Sequence, residues 1–146
     1  MNNEVIEKAG EIIHQNTVYG TQQGSDPFCV LALIDKEGYP TASTITASQS
    51  EGIEWITFCT GLTSNKVNRI ADCNHASVCF NKDGAYNITL VGTIEVVTEP
   101  SIKQAMWYEG LEQHFSSPDD PQYCVLHFST NRYNLFIDWQ ETAGYL

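Results

Sequence analysis

Basic residues are scarce in this chain of 146 residues. Seven Lys and Arg stand against 18 Asp and Glu, which gives a formal charge of −11 at neutral pH. A protein that binds a nucleic-acid backbone needs Lys and Arg to neutralise phosphates, and an anionic membrane surface attracts the same residues. The charge balance therefore predicts that neither nucleic acid nor a membrane surface is a partner.

Long apolar runs and paired cysteine motifs are also missing. No run approaches the roughly 18 apolar residues that span a bilayer, and no basic segment leads into an apolar stretch at the N-terminus. The five cysteines are odd in number and form no CxxC pair. We therefore expect a cytoplasmic protein with neither a disulfide framework nor a bound metal.

The patterns that are present predict a small barrel. With 42% hydrophobic and 17% charged residues the chain is globular, and its length predicts a single domain over residues 1–146. Apolar residues at helical spacing predict helices over 3–16, with Asn3 as the N-cap, over 64–73 and over 100–115. Runs bounded by turn residues predict strands over 28–34, 41–48, 55–60, 76–80, 85–97, 123–129 and 133–138, the last two forming a hairpin around 130–132. Closely spaced strands with tight turns indicate a mainly β protein, an antiparallel barrel with flanking helices.

Three strands and two helices carry more specific predictions. Residues 28–34 are continuously apolar, as expected of a strand that is covered on both faces. Residues 41–48 contain five hydroxyl side chains and form either an exposed edge or the wall of a polar ligand site. Gly92 interrupts an apolar strand face and predicts a bulge or a close backbone approach. The buried helix faces are predicted to be Val67, Ile70 and Ala71, and Ile102, Ala105, Met106 and Leu111.

The segment Trp55–Lys66 carries the strongest chemical signal. A strand that ends in hydroxyl residues crosses a loop containing Gly61 and enters a helix whose predicted N-cap is Ser64. A helix N-terminus offers unpaired N–H groups and the positive end of the helix dipole, and both favour phosphate. Lys66 adds a cation in the first turn, and Arg69 could add a second. Capping alone would also explain Ser64, so the residues leave a phosphate site and a plain helix cap as alternatives.

The chain resembles the pyridoxamine 5′-phosphate oxidase-like split-barrel family that binds FMN, in particular its short general-stress-protein and nitroimidazole-resistance branches. Four features over residues 28–139 carry the resemblance in the family's order. They are Gly38-Tyr39-Pro40 before a small-residue strand, Trp55–Thr60 followed by Ser64-Asn65-Lys66, Val91-Gly92-Thr93 within a long strand, and the helix with Trp107 that ends before Ser117–Pro121. The resemblance implies a six- to seven-stranded split barrel of the FMN-binding type, which forms a homodimer with its sites at the subunit interface.

The resemblance also implies which residues bind the cofactor. The phosphate would be held by Thr60 and by the helix start Ser64-Asn65-Lys66. The isoalloxazine ring would lie against the second strand, at Ser43, Thr44, Ile45 and Thr46, and Phe58 and Cys59 would pass along the ring or the ribityl chain. Trp107 or Trp139 of the partner would close the ring face, although an aromatic residue on an amphipathic helix is as often a core residue.

One departure from the family bears on the phosphate. Many relatives carry an Arg in the second strand, whereas residues 41–48 contain none, so the phosphate charge would rest mainly on Lys66. The implied function is an FMN-dependent oxidoreductase that acts on a small molecule, with no catalytic side chain assigned and His114 as the histidine nearest to a ligand. The alternatives are a non-catalytic protein that binds or senses FMN, heme or a deazaflavin on the same barrel, and a structural dimer without a cofactor.

Overall fold

The computed structural model describes residues 2–21 and 28–146. Helix α1 covers Asn2–Gln15, and strands β1, β2 and β3 cover Phe28–Ile34, Pro40–Glu51 and Trp55–Gly61. Helix α2 covers Asn65–Asp72, strands β4 and β5 cover His75–Lys82 and Tyr86–Val97, and helix α3 covers Pro100–Met106. A 3-10 turn at Leu111–Gln113 precedes strands β6, Tyr123–Ile137, and β7, Gln140–Tyr145. Among these residues, no helix has both the length and the apolar character to cross a membrane.

The strands form one antiparallel sheet that closes on itself. Their order is β3-β2-β1-β4-β5-β6-β7, and an additional pairing of β3 with β6 closes the first six into a barrel. Strand β7 continues the sheet beyond the barrel by pairing with the second half of β6. The prediction of a mainly β, antiparallel barrel with flanking helices is confirmed.

The barrel interior takes alternate residues of each strand. Phe58, Phe80, Leu90 and Phe128 are among the fully buried side chains, and α1 adds Ala9 and Ile13 at one end. The helix predicted over 3–16 is confirmed, but it begins at Asn2, so Asn3 lies inside it and is not the N-cap. In α2, Ile70 is buried and Val67 partly buried, whereas Ala71 is exposed, contrary to the prediction.

Strand β1 is covered on one face only, which corrects the prediction of two covered faces. Cys29, Leu31 and Leu33 point into the barrel, whereas Phe28 and Val30 on the other face are 52% and 38% exposed. A closed barrel buries only every second residue of a strand. Ala32 and Ile34, further along the same face, are partly buried. A continuous apolar run therefore left an apolar strip on the surface.

Gly92 lies where β5 and β6 change register, and the predicted close backbone approach is confirmed. A Cβ atom at Gly92 would come within 1.9 Å of the Ser129 carbonyl oxygen. The register shifts between Val91, opposite Arg132, and Gly92, opposite Thr130. Residues 130–132 therefore form a bulge in one continuous strand, and the hairpin predicted there is wrong.

The two remaining errors come from turns. The turn after β6 is at Asp138 and Trp139, which adopt positive φ of 51° and 67°, and its sequence lacks the Asn-Gly or Asp-Gly signal of such turns. Because this turn was not predicted, strand β7 was not predicted either. Helix α3 ends at Met106, not at residue 115, because Trp107 is extended and Gly110 adopts a left-handed φ of 112°. Ala105, expected on its buried face, is exposed.

Candidate functional site

A cavity of about 360 Å³ lies between the barrel wall and the connection from α3 to β6. One side is formed by the middle of β2 and the end of β3, and the other by the connection. We refer to this cavity as the β2–β3 groove; its lining residues are Ile45, Thr46, Cys59, Thr60 and Gly61 from the barrel, and Tyr108, Leu111, His114 and Phe115 from the connection. Small-molecule sites enclose about 300–1,000 Å³, so the groove has the size of a ligand site.

Four of the residues expected to bind a cofactor meet in this groove: Ile45, Thr46, Cys59 and Thr60. Ser43 and Thr44 lie further along β2, paired with Leu31 and Val30 of β1, and both are exposed. Thr44 shares the outer face of the barrel with Val30, because directly opposed residues of antiparallel strands point to the same side. The hydroxyl-rich strand thus lines the groove at one end and is a free surface at the other.

Phe58, Trp107 and Trp139 lie outside the groove. The Phe58 side chain is fully buried in the barrel core, so only its main chain could reach a ligand. Trp107 is partly buried and packs edge-to-face on Tyr123, with the ring centroids 5.3 Å apart; this is the packing alternative that the sequence left open. Trp139 is 84% exposed at the turn after β6.

The start of α2 lies next to the groove. Ser64 is the N-cap, as predicted, and its hydroxyl accepts a hydrogen bond of 3.4 Å from the Val67 N–H. The Ser64 N–H donates to the carbonyl of Gly61, a groove-lining residue, over 3.0 Å. The first N–H groups of a helix have no acceptor within the helix, so those of Asn65 and Lys66 remain able to bind an anion. Asn65 itself lines a separate cavity and not the groove.

Arg69 does not join Lys66 at this place. It lies in a separate cavity of about 400 Å³ with Asp35, Glu37 and Asp72 among its neighbours. These carboxylates would compete with a phosphate for the guanidinium. Lys66 is partly buried and lines neither this cavity nor the groove.

The groove is lined by neutral hydrogen-bond donors. Among residues 2–21 and 28–146 no carboxylate lines it, although the chain contains 18 Asp and Glu. Burial raises the pKa of the Cys59 thiol, against smaller opposing effects of hydrogen bonds with Tyr123 and Ser48. Burial, with Cys59 nearby, raises the pKa of Tyr108 to about 12. Both side chains are therefore protonated at neutral pH and can donate hydrogen bonds to a ligand.

Behind the groove lies a second hydrophobic cluster, separate from the barrel core. Its buried residues are Leu111, Tyr123 and Val125, and Cys59, Met106, Trp107, Tyr108 and Phe115 are among those packed on them. We refer to it as the α3 cluster. The sequence patterns did not indicate Tyr108 or Phe115 as site residues, because both fell within the helix predicted over 100–115; Gly110 inside that helix was the signal that the chain turns there.

A larger cavity elsewhere is a poorer candidate for a phosphate ligand. It measures about 600 Å³, lies between α1 and the turn from β2 to β3, and carries Glu7, Glu11, Glu51 and Glu54. These four carboxylates would repel an anion. None of the predicted site residues lines it.

The fold and the groove define a split-barrel protein with a candidate ligand site on the barrel wall. The pyridoxamine 5′-phosphate oxidase family matches residues 21–136. This match covers most of the chain, and the protein belongs to that family. No curated protein matches the chain.

Solved structures of low sequence identity share the fold. A Clostridium acetobutylicum protein related to general stress protein 26 has 20% identity and a TM-score of 0.72, over 99% of this chain and 92% of that one. A pyridoxamine 5′-phosphate oxidase-related, FMN-binding protein of Nostoc punctiforme has 14% identity and a TM-score of 0.64, over 94% and 93%. A heme-binding protein of Mycobacterium smegmatis has 18% identity and a TM-score of 0.72, over 97% and 57%.

Proposed function

We propose that this protein binds FMN in the β2–β3 groove and acts as an oxidoreductase on a small molecule. The observation that carries the proposal is the continuity between the groove and the start of α2. Thr60 and Gly61 line the groove, and the Gly61 carbonyl accepts the N–H of Ser64, the cap of the helix, over 3.0 Å. A ligand in the groove would therefore have one end beside the α2 N-terminus and Lys66.

The residues present fit a planar ligand with a phosphate. The Thr60 hydroxyl, the first N–H groups of α2 and the Lys66 ammonium are donors of the kind that bind phosphate at helix starts. Ile45, Leu111 and Phe115 offer apolar surface for a ring. The absence of carboxylates from the groove lining removes the repulsion that the chain's net charge would otherwise impose.

A homodimer would complete the site. Phe28 and Val30 are large apolar side chains on the outer face of β1, beside Thr44. Exposed apolar surface of this kind is typical of interaction sites. A second copy packed on this strip would cover it and would bring further side chains to Thr44 and Thr46. Sedimentation that finds a folded monomer with a full complement of flavin would overturn this arrangement.

FMN, when bound, supplies the hydride and electron transfer itself. The chain's own residues would hold and orient it: Lys66 and Thr60 at the phosphate, and the apolar groove residues along the ring. The protonated Tyr108 hydroxyl and Cys59 thiol would donate hydrogen bonds inside the groove. His114 is the one histidine in the described groove lining, and its side chain is exposed.

The test is the visible absorption spectrum of the purified protein after addition of FMN and desalting. Lys66→Ala should weaken FMN binding by about 10- to 100-fold, since a hydrogen bond to a charged group contributes about 1.5–3 kcal/mol. Lys82→Ala, at the exposed end of β4, is the matched control and should retain wild-type affinity. A wild-type protein that retains no flavin would refute the proposal.

Reduction of the bound flavin by NADH or NADPH no faster than that of free flavin would favour a binding or sensing role.

Heme is the second candidate ligand, because His114 and Tyr108 line the same groove and are both residue types that ligate heme iron. The protonated Cys59 thiol is less suited, since a thiolate is the ligand form of cysteine. Titration with hemin should then produce a shifted Soret band that His114→Ala abolishes and Lys66→Ala leaves. FMN binding should show the opposite dependence.

A further inference from the structure

Lys103 is the only buried charged side chain among the described residues. It lies in α3 and is 7% exposed. Its ammonium donates to the main-chain carbonyl of Asp120 over 2.9 Å and lies 5.3 Å from the centre of the Tyr123 ring. Within residues 2–21 and 28–146 the one ion pair is that of Lys8 and Asp138, so Lys103 forms none; the Asp120 carboxylate interacts with it only at longer range.

Lys103 and Tyr123 make two contacts: the Lys103 ammonium faces the Tyr123 ring, and the Tyr123 hydroxyl bonds to the Lys103 carbonyl. The Tyr123 hydroxyl donates to the Lys103 carbonyl over 2.9 Å and lies 3.6 Å from the Cys59 sulfur. The Lys103 side chain thus ties α3 to the start of β6, directly behind a thiol that lines the groove. An apolar residue of the same length could fill this space without the desolvation cost, but it could not donate to Asp120.

Asp120 is itself the centre of a turn. Its carboxylate accepts hydrogen bonds from the N–H of Ser116 over 2.8 Å and from the N–H of Gln122 over 2.9 Å. These bonds hold the turn that directly follows Phe115. The Lys103 ammonium holds the same turn, because it donates to the main-chain carbonyl of Asp120.

The second wall of the groove lies between these two anchors. Tyr108, Leu111, His114 and Phe115 all come after Lys103 and before Asp120. Between the anchors this stretch has one short 3-10 turn as regular structure. Its placement therefore depends on how its two ends are held, and the Lys103 side chain links them by donating to the carbonyl of Asp120.

We propose that Lys103 is a positioning residue for the ligand groove: its buried ammonium sets the place of the wall formed by residues 107–115 without touching the ligand. The inference deepens the proposed function, on which its ligand readout rests. Its structural readout, the local stability of the connection, is independent of the ligand.

The test compares Lys103→Met, which keeps the length and removes the donor, with wild type, Lys103→Arg and the exposed control Lys82→Met. Lys103→Met should bind FMN at least about tenfold more weakly, since displacing a ligand-contacting group by about 1 Å can cost up to 10²-fold. Amide hydrogen exchange should accelerate over 107–122 and stay unchanged over 86–91 in the barrel. In Lys103→Met the near-ultraviolet circular dichroism, to which Trp107 and Tyr123 contribute, should change. Lys103→Arg, which keeps a donor, should recover part of the affinity, a rescue that a packing role would not produce.

The outcomes separate the two ideas. Lys103→Met with wild-type FMN affinity and unchanged exchange over 107–122 would overturn the positioning role. If wild type binds no FMN, the proposed function fails, and the exchange pattern alone decides on Lys103. If Lys103→Met does not fold, Lys103→Gln, which replaces the ammonium by a shorter uncharged group, takes its place. That variant should accelerate amide hydrogen exchange over 107–122 and weaken FMN binding, each to a smaller extent. Wild-type exchange together with wild-type FMN affinity would count against the proposal.

Discussion

The two walls of the β2–β3 groove differ in how they are held. The barrel wall belongs to β2 and β3, and β3 pairs with β6 over seven consecutive residues, Trp55–Gly61 against Tyr123–Ser129. The opposite wall, residues 107–115, pairs with no strand. It is held by side chains that reach main-chain carbonyls: Lys103 to Asp120, Tyr123 to Lys103, and Tyr19 to Trp107 over 2.5 Å.

This difference suggests a division of roles between the walls. Main-chain ladders resist local opening, whereas segments with few buried contacts open at low free-energy cost. The barrel wall and the α2 start can therefore present a fixed site for the phosphate end of a ligand. The connection, with three buried residues in its cluster, can adapt to the other end, so we expect differences in ligand selectivity to arise there.

The largest expected effect is in the barrel. Gly92→Ala places a Cβ atom 1.9 Å from the Ser129 carbonyl oxygen, and main-chain atoms on a paired strand cannot move away. We expect a loss of about 3 kcal/mol in the free energy of unfolding, at the upper end for overpacking, measured by urea denaturation. Gly61→Ala is the control, because its Cβ atom would meet only ordinary contacts at 3.7 Å. Equal midpoints for the two variants would show that the bulge at Gly92 is not rigid.

The same substitution in each region tests the comparison directly. Leu126 is fully buried in the barrel core, and Leu111 is 4% exposed in the α3 cluster. Leu→Ala changes cost about 2–5 kcal/mol, with the larger values where the surroundings cannot relax. Leu126→Ala should therefore lie near the upper end and Leu111→Ala near the lower end in urea unfolding. A larger loss for Leu111→Ala would reverse the assignment of the rigid and the adaptable wall.

The smallest expected effect is a pH dependence of the connection. Hydrogen bonds from the Ser116 and Gln122 N–H groups lower the pKa of Asp120, with a further contribution from Lys103. A lowered folded-state pKa contributes stability above the unfolded pKa of about 3.9 and loses it as the pH falls through the folded value. The near-ultraviolet signal of Trp107 and Tyr123 should therefore change below about pH 4, before the far-ultraviolet signal of the barrel. Asp120→Asn should abolish this early change, and its persistence in the variant would point to another carboxylate.

The elements most accurately predicted are those that local interactions define. Alternation predicted the buried and exposed faces of β5, and the Ser64 cap predicted the start of α2. The errors lie where residues distant in the sequence determine the local structure. The hairpin at 130–132 was wrong because Gly92, almost 40 residues earlier, accommodates a bulge within a continuous β6, and α3 was predicted too long because its apolar spacing continues past Trp107.

The candidate site divides in the same way. Thr60 could be named because it precedes a recognisable helix start, and Ile45, Thr46 and Cys59 because the family resemblance implies a cofactor along their strands. The opposite wall, residues 107–115, and Lys103 could not be named. A lysine in a helix is normally expected on the surface, and only the contact with the distant Asp120 carbonyl shows that Lys103 is buried.

The sequence by itself determined strands β1 to β5, the capped helix after β3 and the excess of acidic over basic residues, since propensity, alternation and capping act over a few residues. Only the tertiary structure decided which face of β1 stays exposed, that β3 closes the barrel on β6, and that a buried ammonium holds one wall of the groove. Those features depend on contacts between segments far apart in the chain, and the free energy of such contacts comes from burial and desolvation, which no local pattern encodes.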